Sequence, residues 1–140
     1  MGDFRKALIA VVDDDESVRA AIGSLVAAAG FRSTTFESAE RFLASDRVRD
    51  IDCVLLDIRL PGMSGLDLHL ALREMNCNLP VIYVTATHDG GFRDRARAQG
   101  AAAFLPKPFE QELLLNAIET VLNGGETPEI GRPARSQQFS

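Results

Sequence analysis

Five strand-like runs punctuate this chain, and a helical pattern follows each of them. The runs are Ala7-Leu8-Ile9-Ala10-Val11-Val12, Ser33-Thr34-Thr35-Phe36, Cys53-Val54-Leu55-Leu56, Pro80-Val81-Ile82-Tyr83-Val84 and Ala101–Leu105. Short apolar runs bounded by turn signals read as strands covered on both faces. After the first run, Val18, Ile22, Leu25, Val26 and Ala29 mark one helical face, and Gly30 supplies the stop. Ser38 is an N-cap ahead of Ala39, Phe42 and Leu43. Leu66, Leu68, Leu70 and Leu72 with Met75 mark a third helix, and Phe92 to Gln99 a polar fourth one ending at Gly100. Glu110 opens the last helix, whose stripe is Leu113, Leu114, Ala117, Ile118, Val121 and Leu122. Each crossover has the length that a parallel pairing needs. The expected fold is therefore α/β, a doubly wound, flavodoxin-like (βα)5 sandwich with strand order 2-1-3-4-5.

The 140 residues suffice for one domain with a proper core. Residues 1–123 are expected to form it. From about Gly124 onward the periodicity stops and the composition is that of a linker, so 124–140 is expected to be a flexible tail. No apolar run is long enough to span a membrane, and the N-terminus lacks the form of a secretory signal, so a cytoplasmic protein is expected. Net charge is -5 with no basic block, which argues against direct nucleic-acid binding by this chain. Cys53 and Cys77 have no metal-ligand spacing and read as free thiols. His69 and His88 stand isolated, and His88 reads as an exposed loop histidine.

The polar residues at the strand ends carry the chemistry. Asp13 and Asp14 close the first strand, Asp57 the third, Thr85 the fourth and Lys107 the fifth. In the expected order these strands are neighbours, and the C-terminal strand edge is where such sheets bind ligands. An isolated Asp57 would be an N-cap or turn residue; in this company it is a nucleophile, a metal ligand or both. Helix capping explains Asp15 and Glu16, since acids favour helix N-termini. It does not explain Lys107, a cation at the wrong end of the helix dipole. Two carboxylates about 4 Å apart repel by roughly 4 kcal/mol at an effective dielectric near 20, so three of them require cations. Lys107 is one. A hard divalent ion suits the remaining oxygen-only site, and Mg²⁺ binds through one or two carboxylates plus phosphate oxygens. The chemistry indicated is phosphoryl transfer, with Asp57 as nucleophile, Lys107 and the metal neutralising charge, and Thr85 donating to a phosphoryl oxygen.

Four motifs in order, Val11-Val12-Asp13-Asp14-Asp15-Glu16, Leu56-Asp57-Ile58-Arg59-Leu60-Pro61-Gly62-Met63-Ser64-Gly65, Val84-Thr85-Ala86 and Lys107-Pro108-Phe109, make residues 7–122 resemble the receiver domain of bacterial two-component response regulators. The likeness is greatest to receivers that precede helix-turn-helix output domains in nitrogen-fixation-type regulators. The resemblance implies that a histidine kinase phosphorylates Asp57. It implies that Asp14, Asp57 and the main-chain carbonyl of Arg59 hold Mg²⁺, with Asp13 acting through a metal-bound water. Thr85 and Lys107 would contact the phosphoryl oxygens, and the Lys107–Pro108 bond would be cis. Thr85 and Phe104 take the family's switch positions, remodelling the face formed by the fourth helix, fifth strand and fifth helix. Phe104 stands where a tyrosine is frequent, and an inward-facing core residue is the plain alternative. Pro106 removes a backbone donor from the last strand and is expected to stiffen Lys107 and alter edge pairing.

The function expected is that of a phosphoaccepting switch, not an enzyme, which assists its own phosphorylation and dephosphorylation. Its partners are a histidine kinase and an unknown downstream protein. Any homodimer is expected to use the fourth helix, fifth strand and fifth helix, because Leu114, Ile118 and Leu122 widen the last stripe. One alternative is the isolated receiver of a longer DNA-binding transcription regulator. Another is a Mg²⁺-dependent phosphohydrolase with an aspartyl nucleophile. Such enzymes carry an acid two residues after the nucleophile, and here that position is Arg59.

Overall fold

The computed structural model describes residues 7–87 and 89–124. The readings made for His88 and for the segment after Gly124 fall outside them. Strands β1 (Leu8–Val12), β2 (Arg32–Phe36), β3 (Cys53–Leu56), β4 (Val81–Thr85) and β5 (Ala103–Pro106) alternate with helices α1 (Glu16–Ala28), α2 (Ala39–Ala44), α3 (Gly65–Glu74), α4 (Gly90–Ala98) and α5 (Gln111–Leu122). A 3-10 turn at Val48–Asp50, absent from the sequence reading, precedes β3. All pairings are parallel and the order is β2-β1-β3-β4-β5, as expected.

Alternation along the strands sends side chains to two separate cores. Leu8, Ala10, Val12, Val54, Leu56, Val81, Tyr83 and Phe104 face the layer of α2, α3 and α4. Ile9, Val11, Cys53, Leu55, Ile82, Val84, Ala103 and Leu105 face α1 and α5. Both faces are sealed, which is why the central strands read as unbroken apolar runs rather than alternating ones. Asp15 caps α1 through the Ser17 and Val18 N–H groups, and Ser38 caps α2 through Arg41. Gly30 closes α1 at φ 97°.

Three readings change. Leu70 and Met75 point outward, while α3 buries the expected Leu66, Leu68 and Leu72 together with His69. The apolar spacing near Leu66 fits two helical faces, and the sheet took the one that includes His69. Leu114 and Ile118 are both 0% exposed, and Leu122 packs against the same core. Most of the α5 stripe therefore covers the sheet, while Leu113 of the same stripe stays 38% exposed. Finally, Pro106 does not disturb edge pairing: it sits opposite Thr85, and Lys107 N–H donates to the Thr85 carbonyl at 3.0 Å. Hydrogen bonding alternates along a strand, so the donor missing at Pro106 faces the open edge of β5.

Candidate functional site

Register brings the polar strand ends together. Val12 is level with Leu56, so the next residues, Asp13 and Asp57, emerge side by side. Thr85 is level with Pro106, so Lys107 is the next residue outward on β5. Strands lie about 4.8 Å apart, so roughly 10 Å of sheet separates the β5 backbone from β3. A lysine side chain is long enough to cross it. The Lys107 Nζ donates to Asp57 Oδ2 at 2.8 Å and to Asp13 Oδ2 at 2.7 Å. The Lys107–Pro108 bond is cis.

Asp13 is almost fully committed. Its Oδ1 accepts from Asp15 N–H at 2.9 Å, and its carbonyl accepts from Arg19 Nη1 at 2.7 Å. Asp57 Oδ1 accepts from Arg59 N–H at 3.2 Å. Asp14 is exposed, and one carboxylate oxygen from each of Asp13, Asp14 and Asp57 lies within 4.8 Å of the others. Burial pushes the Asp13 carboxyl above its ordinary pKa, against the hydrogen bonds from Lys107 and Asp15. Burial opposes the Lys107 ammonium too, but hydrogen bonds to Asp13 and Asp57 and their charges outweigh it and raise its pKa. One cation divided between two carboxylates gains twice, while each carboxylate gains half a partner. Counting Asp14, the cluster has three carboxylates and one ammonium. That leftover negative charge, with oxygen-only donors and an exposed third ligand, fits a hydrated divalent cation.

Thr85 is 1% exposed at the end of β4, and its Oγ1 accepts from Thr87 N–H at 3.2 Å. A cavity of about 380 Å³ opens here, lined by Asp57, Arg59, Thr85, Ala86, Thr87 and Asp89. Below it, Gly65 is obligatory. A Cβ there would lie 2.0 Å from the Asp57 carbonyl oxygen, while Gly65 N–H closes the loop on the Ile58 carbonyl at 2.9 Å. Phe104 lies apart from the acidic cluster. It is 4% exposed, tilted 33° against neighbouring Tyr83 with ring centroids 5.7 Å apart, and covered by the Arg93 guanidinium at 4.8 Å.

Sequence reasoning overlooked Arg19, Thr87 and His69. Spacing would have placed Arg19 one turn into α1, facing back toward the strand end. His69, treated as isolated, is buried with its Nδ1 2.8 Å from the Tyr83 hydroxyl. Among the described residues, no helix is long and apolar enough to cross a membrane.

A five-stranded sheet of this order with three acids and a lysine at its C-terminal edge defines a class, and comparison with known proteins agrees. Residues 9–119 match the family described as response regulator receiver domain, and the chain belongs to it. It is 39% identical over 113 residues to nodulation protein W of Bradyrhizobium diazoefficiens, covering 81% of this chain and 50% of that one. It is 37% identical over 120 residues to the DNA-binding transcriptional regulator NtrC of Salmonella typhimurium, covering 86% and 26%. The solved structure of response regulator StyR superimposes with a TM-score of 0.79 at 42% identity, covering 86% of this chain and 61% of that one. The chain thus spans about half the length of nodulation protein W. It is a receiver domain of the two-component response regulators.

Proposed function

We propose that Asp57 is the phosphoryl acceptor and that a histidine kinase is the donor. The observation that carries this is the Lys107 ammonium held 2.8 Å from Asp57, a residue that lines an open cavity. An Asp57 carboxylate oxygen attacks the phosphorus of the kinase's phosphohistidine. The P–O bond forms as the P–N bond breaks, and the imidazole nitrogen leaves with the electron pair and takes up a proton. Lys107 is already placed to pair with charge on the phosphoryl oxygens, and the Thr85 hydroxyl lies in the cavity wall to donate to one of them. Asp14, Asp57 and the Arg59 carbonyl would hold Mg²⁺, with Asp13 reaching it through water. The bound ion supplies charge neutralisation for the same oxygens.

A phosphoryl group carries about -1.5 to -2 charge, enough to draw Lys107 and Thr85 toward it. Thr85 and Lys107 belong to β4 and the end of β5, so the rearrangement reaches Phe104 and the α4–β5–α5 face. There the signal passes to a downstream protein, or to a second copy of the chain. The chain is a phosphoacceptor rather than a turnover enzyme, because Arg59 cannot protonate a leaving group. It acts in the cytoplasm.

A second reading has specific support. The match to half of nodulation protein W and a quarter of NtrC suits the receiver portion of a longer DNA-binding regulator. The deciding test of the acceptor is intact-mass spectrometry after treatment with acetyl phosphate and Mg²⁺. Wild type gains one phosphoryl group, whereas Asp57→Asn and chelator-treated wild type gain none. Full labelling of Asp57→Asn would move the acceptor elsewhere.

A further inference from the structure

The β3–α3 loop bears the Arg59 carbonyl, and its two ends are secured differently. At the base, Gly65 N–H donates to Ile58 O at 2.9 Å, and Ile58 and Leu60 on either side of Arg59 are buried. The chain then leaves the core at exposed Pro61 and Gly62. It is recaptured at Met63, whose N–H donates to Oε2 of Glu40 at 2.8 Å, across 23 residues of sequence.

Glu40 stands on α2 between Ala39 and Phe42, both 0% exposed. Phe42 meets Phe36 edge to face at 5.2 Å. The base of the Glu40 side chain is therefore anchored although its carboxylate faces solvent. Gly62 leaves room for that carboxylate: its φ is +76°, and a Cβ there would lie 2.6 Å from Glu40 Oε2. The Met63 N–H and Glu40's own N–H hold the carboxyl below the usual glutamate range, so the clamp persists at neutral pH.

We propose that Glu40 is a positioning residue for the metal-holding loop: by gripping Met63 N–H it sets where the Arg59 carbonyl lies, and hence the affinity for Mg²⁺. This rests on the metal reading given above. A carbonyl ligand has no rotamer of its own, so only the backbone around it can aim it. The Gly65–Ile58 bond and buried Leu60 hold the base of the loop but leave its tip, residues 61–63, without a hold of its own. The Glu40–Met63 bond fixes that tip as well, so the backbone on the C-terminal side of Arg59 is held at both Leu60 and Met63. Outer contacts that orient a metal ligand typically alter affinity by about 10–100-fold; one acting through four residues of backbone should alter it by about three- to tenfold.

The test is a Mg²⁺ titration of wild type, Glu40→Gln and Glu40→Ala, followed by amide shifts near Asp14 and Asp57, with the exchange rate of the Met63 amide measured alongside. Glu40→Gln keeps an acceptor oxygen and should match wild type in both readouts. Glu40→Ala should bind Mg²⁺ about three- to tenfold more weakly, with faster Met63 exchange. Equal affinity in Glu40→Ala and wild type overturns the inference alone. So does a Glu40→Gln variant weakened as much as Glu40→Ala, because charge rather than the hydrogen bond would then be responsible. A wild type that takes up no Mg²⁺ overturns the metal reading and this inference with it.

Discussion

The Tyr83 hydroxyl and His69 Nδ1 meet at 2.8 Å between β4 and α3, inside a layer otherwise made of apolar side chains. Burial, with the nearby charge of Arg73, lowers the His69 pKa to about 4. The fold therefore holds the ring neutral, whereas the unfolded chain protonates it near the ordinary value of about 6.5. Stability from this group is complete above that value and is lost as pH falls toward 4, because the unfolded state binds the extra proton. Between about pH 7.5 and about pH 5, wild type should lose about 2 kcal/mol more than His69→Gln. Urea unfolding at the two pH values measures it, and parallel losses in the two proteins would contradict it.

Arg93 roofs the Phe104 ring at 4.8 Å from its centroid. Phe104 has no hydroxyl with which to bond at the surface, so its inward pose depends on Tyr83 beside it and Arg93 above. Arg93→Ala should cost about 0.5–1 kcal/mol and loosen the ring. Unfolding midpoints and aromatic NMR line widths report the two effects. An unchanged line shape would show that Tyr83 suffices.

Lys107→Ala leaves Asp13 and Asp57 facing each other without their shared cation. A lost partner in a fully buried pair costs about 3–5 kcal/mol; with Lys107 partly exposed, about 2 kcal/mol is expected in metal-free buffer, and less once Mg²⁺ is added. On the function proposed above, labelling of Asp57 should persist while the amide-shift response around Phe104 shrinks, because the ammonium joins Asp57 to the end of β5. A full response in the variant would assign that coupling to Thr85 alone.

Gly65→Ala would place a methyl 2.0 Å from the Asp57 carbonyl oxygen, a backbone atom that cannot rotate away. The β3–α3 loop must open or the protein must unfold. A loss of about 3 kcal/mol is expected, at the upper end for overpacking, together with weaker acceptance of a phosphoryl group. Thermal unfolding checks the first part and acetyl phosphate labelling the second. A variant as stable as wild type would mean that the loop has slack.

Strand ends were legible from the sequence because a buried parallel strand is an apolar run, and an acid that interrupts it marks where the sheet meets solvent. Asp13, Asp57, Thr85 and Lys107 were found in this way, and the register then set them side by side. The helical stripes were less informative. Spacing near Leu66 allowed two faces, and the stripe of α5 looked wider than one contact needs until Leu114 and Ile118 proved to be core.

The sequence by itself determined the alternation of strands and helices and the strand ends at which the acids stand, since these follow from periodicity and local turn signals, while the order 2-1-3-4-5 was expected only from the rule for doubly wound sheets. Tertiary structure alone decided that His69 answers Tyr83, that Arg93 covers Phe104 and that Glu40 grips Met63. Periodicity states which side chains share a face of one element. It carries no information about which side chain of another element lies across from them, and each of these three contacts joins elements that only packing brings within reach.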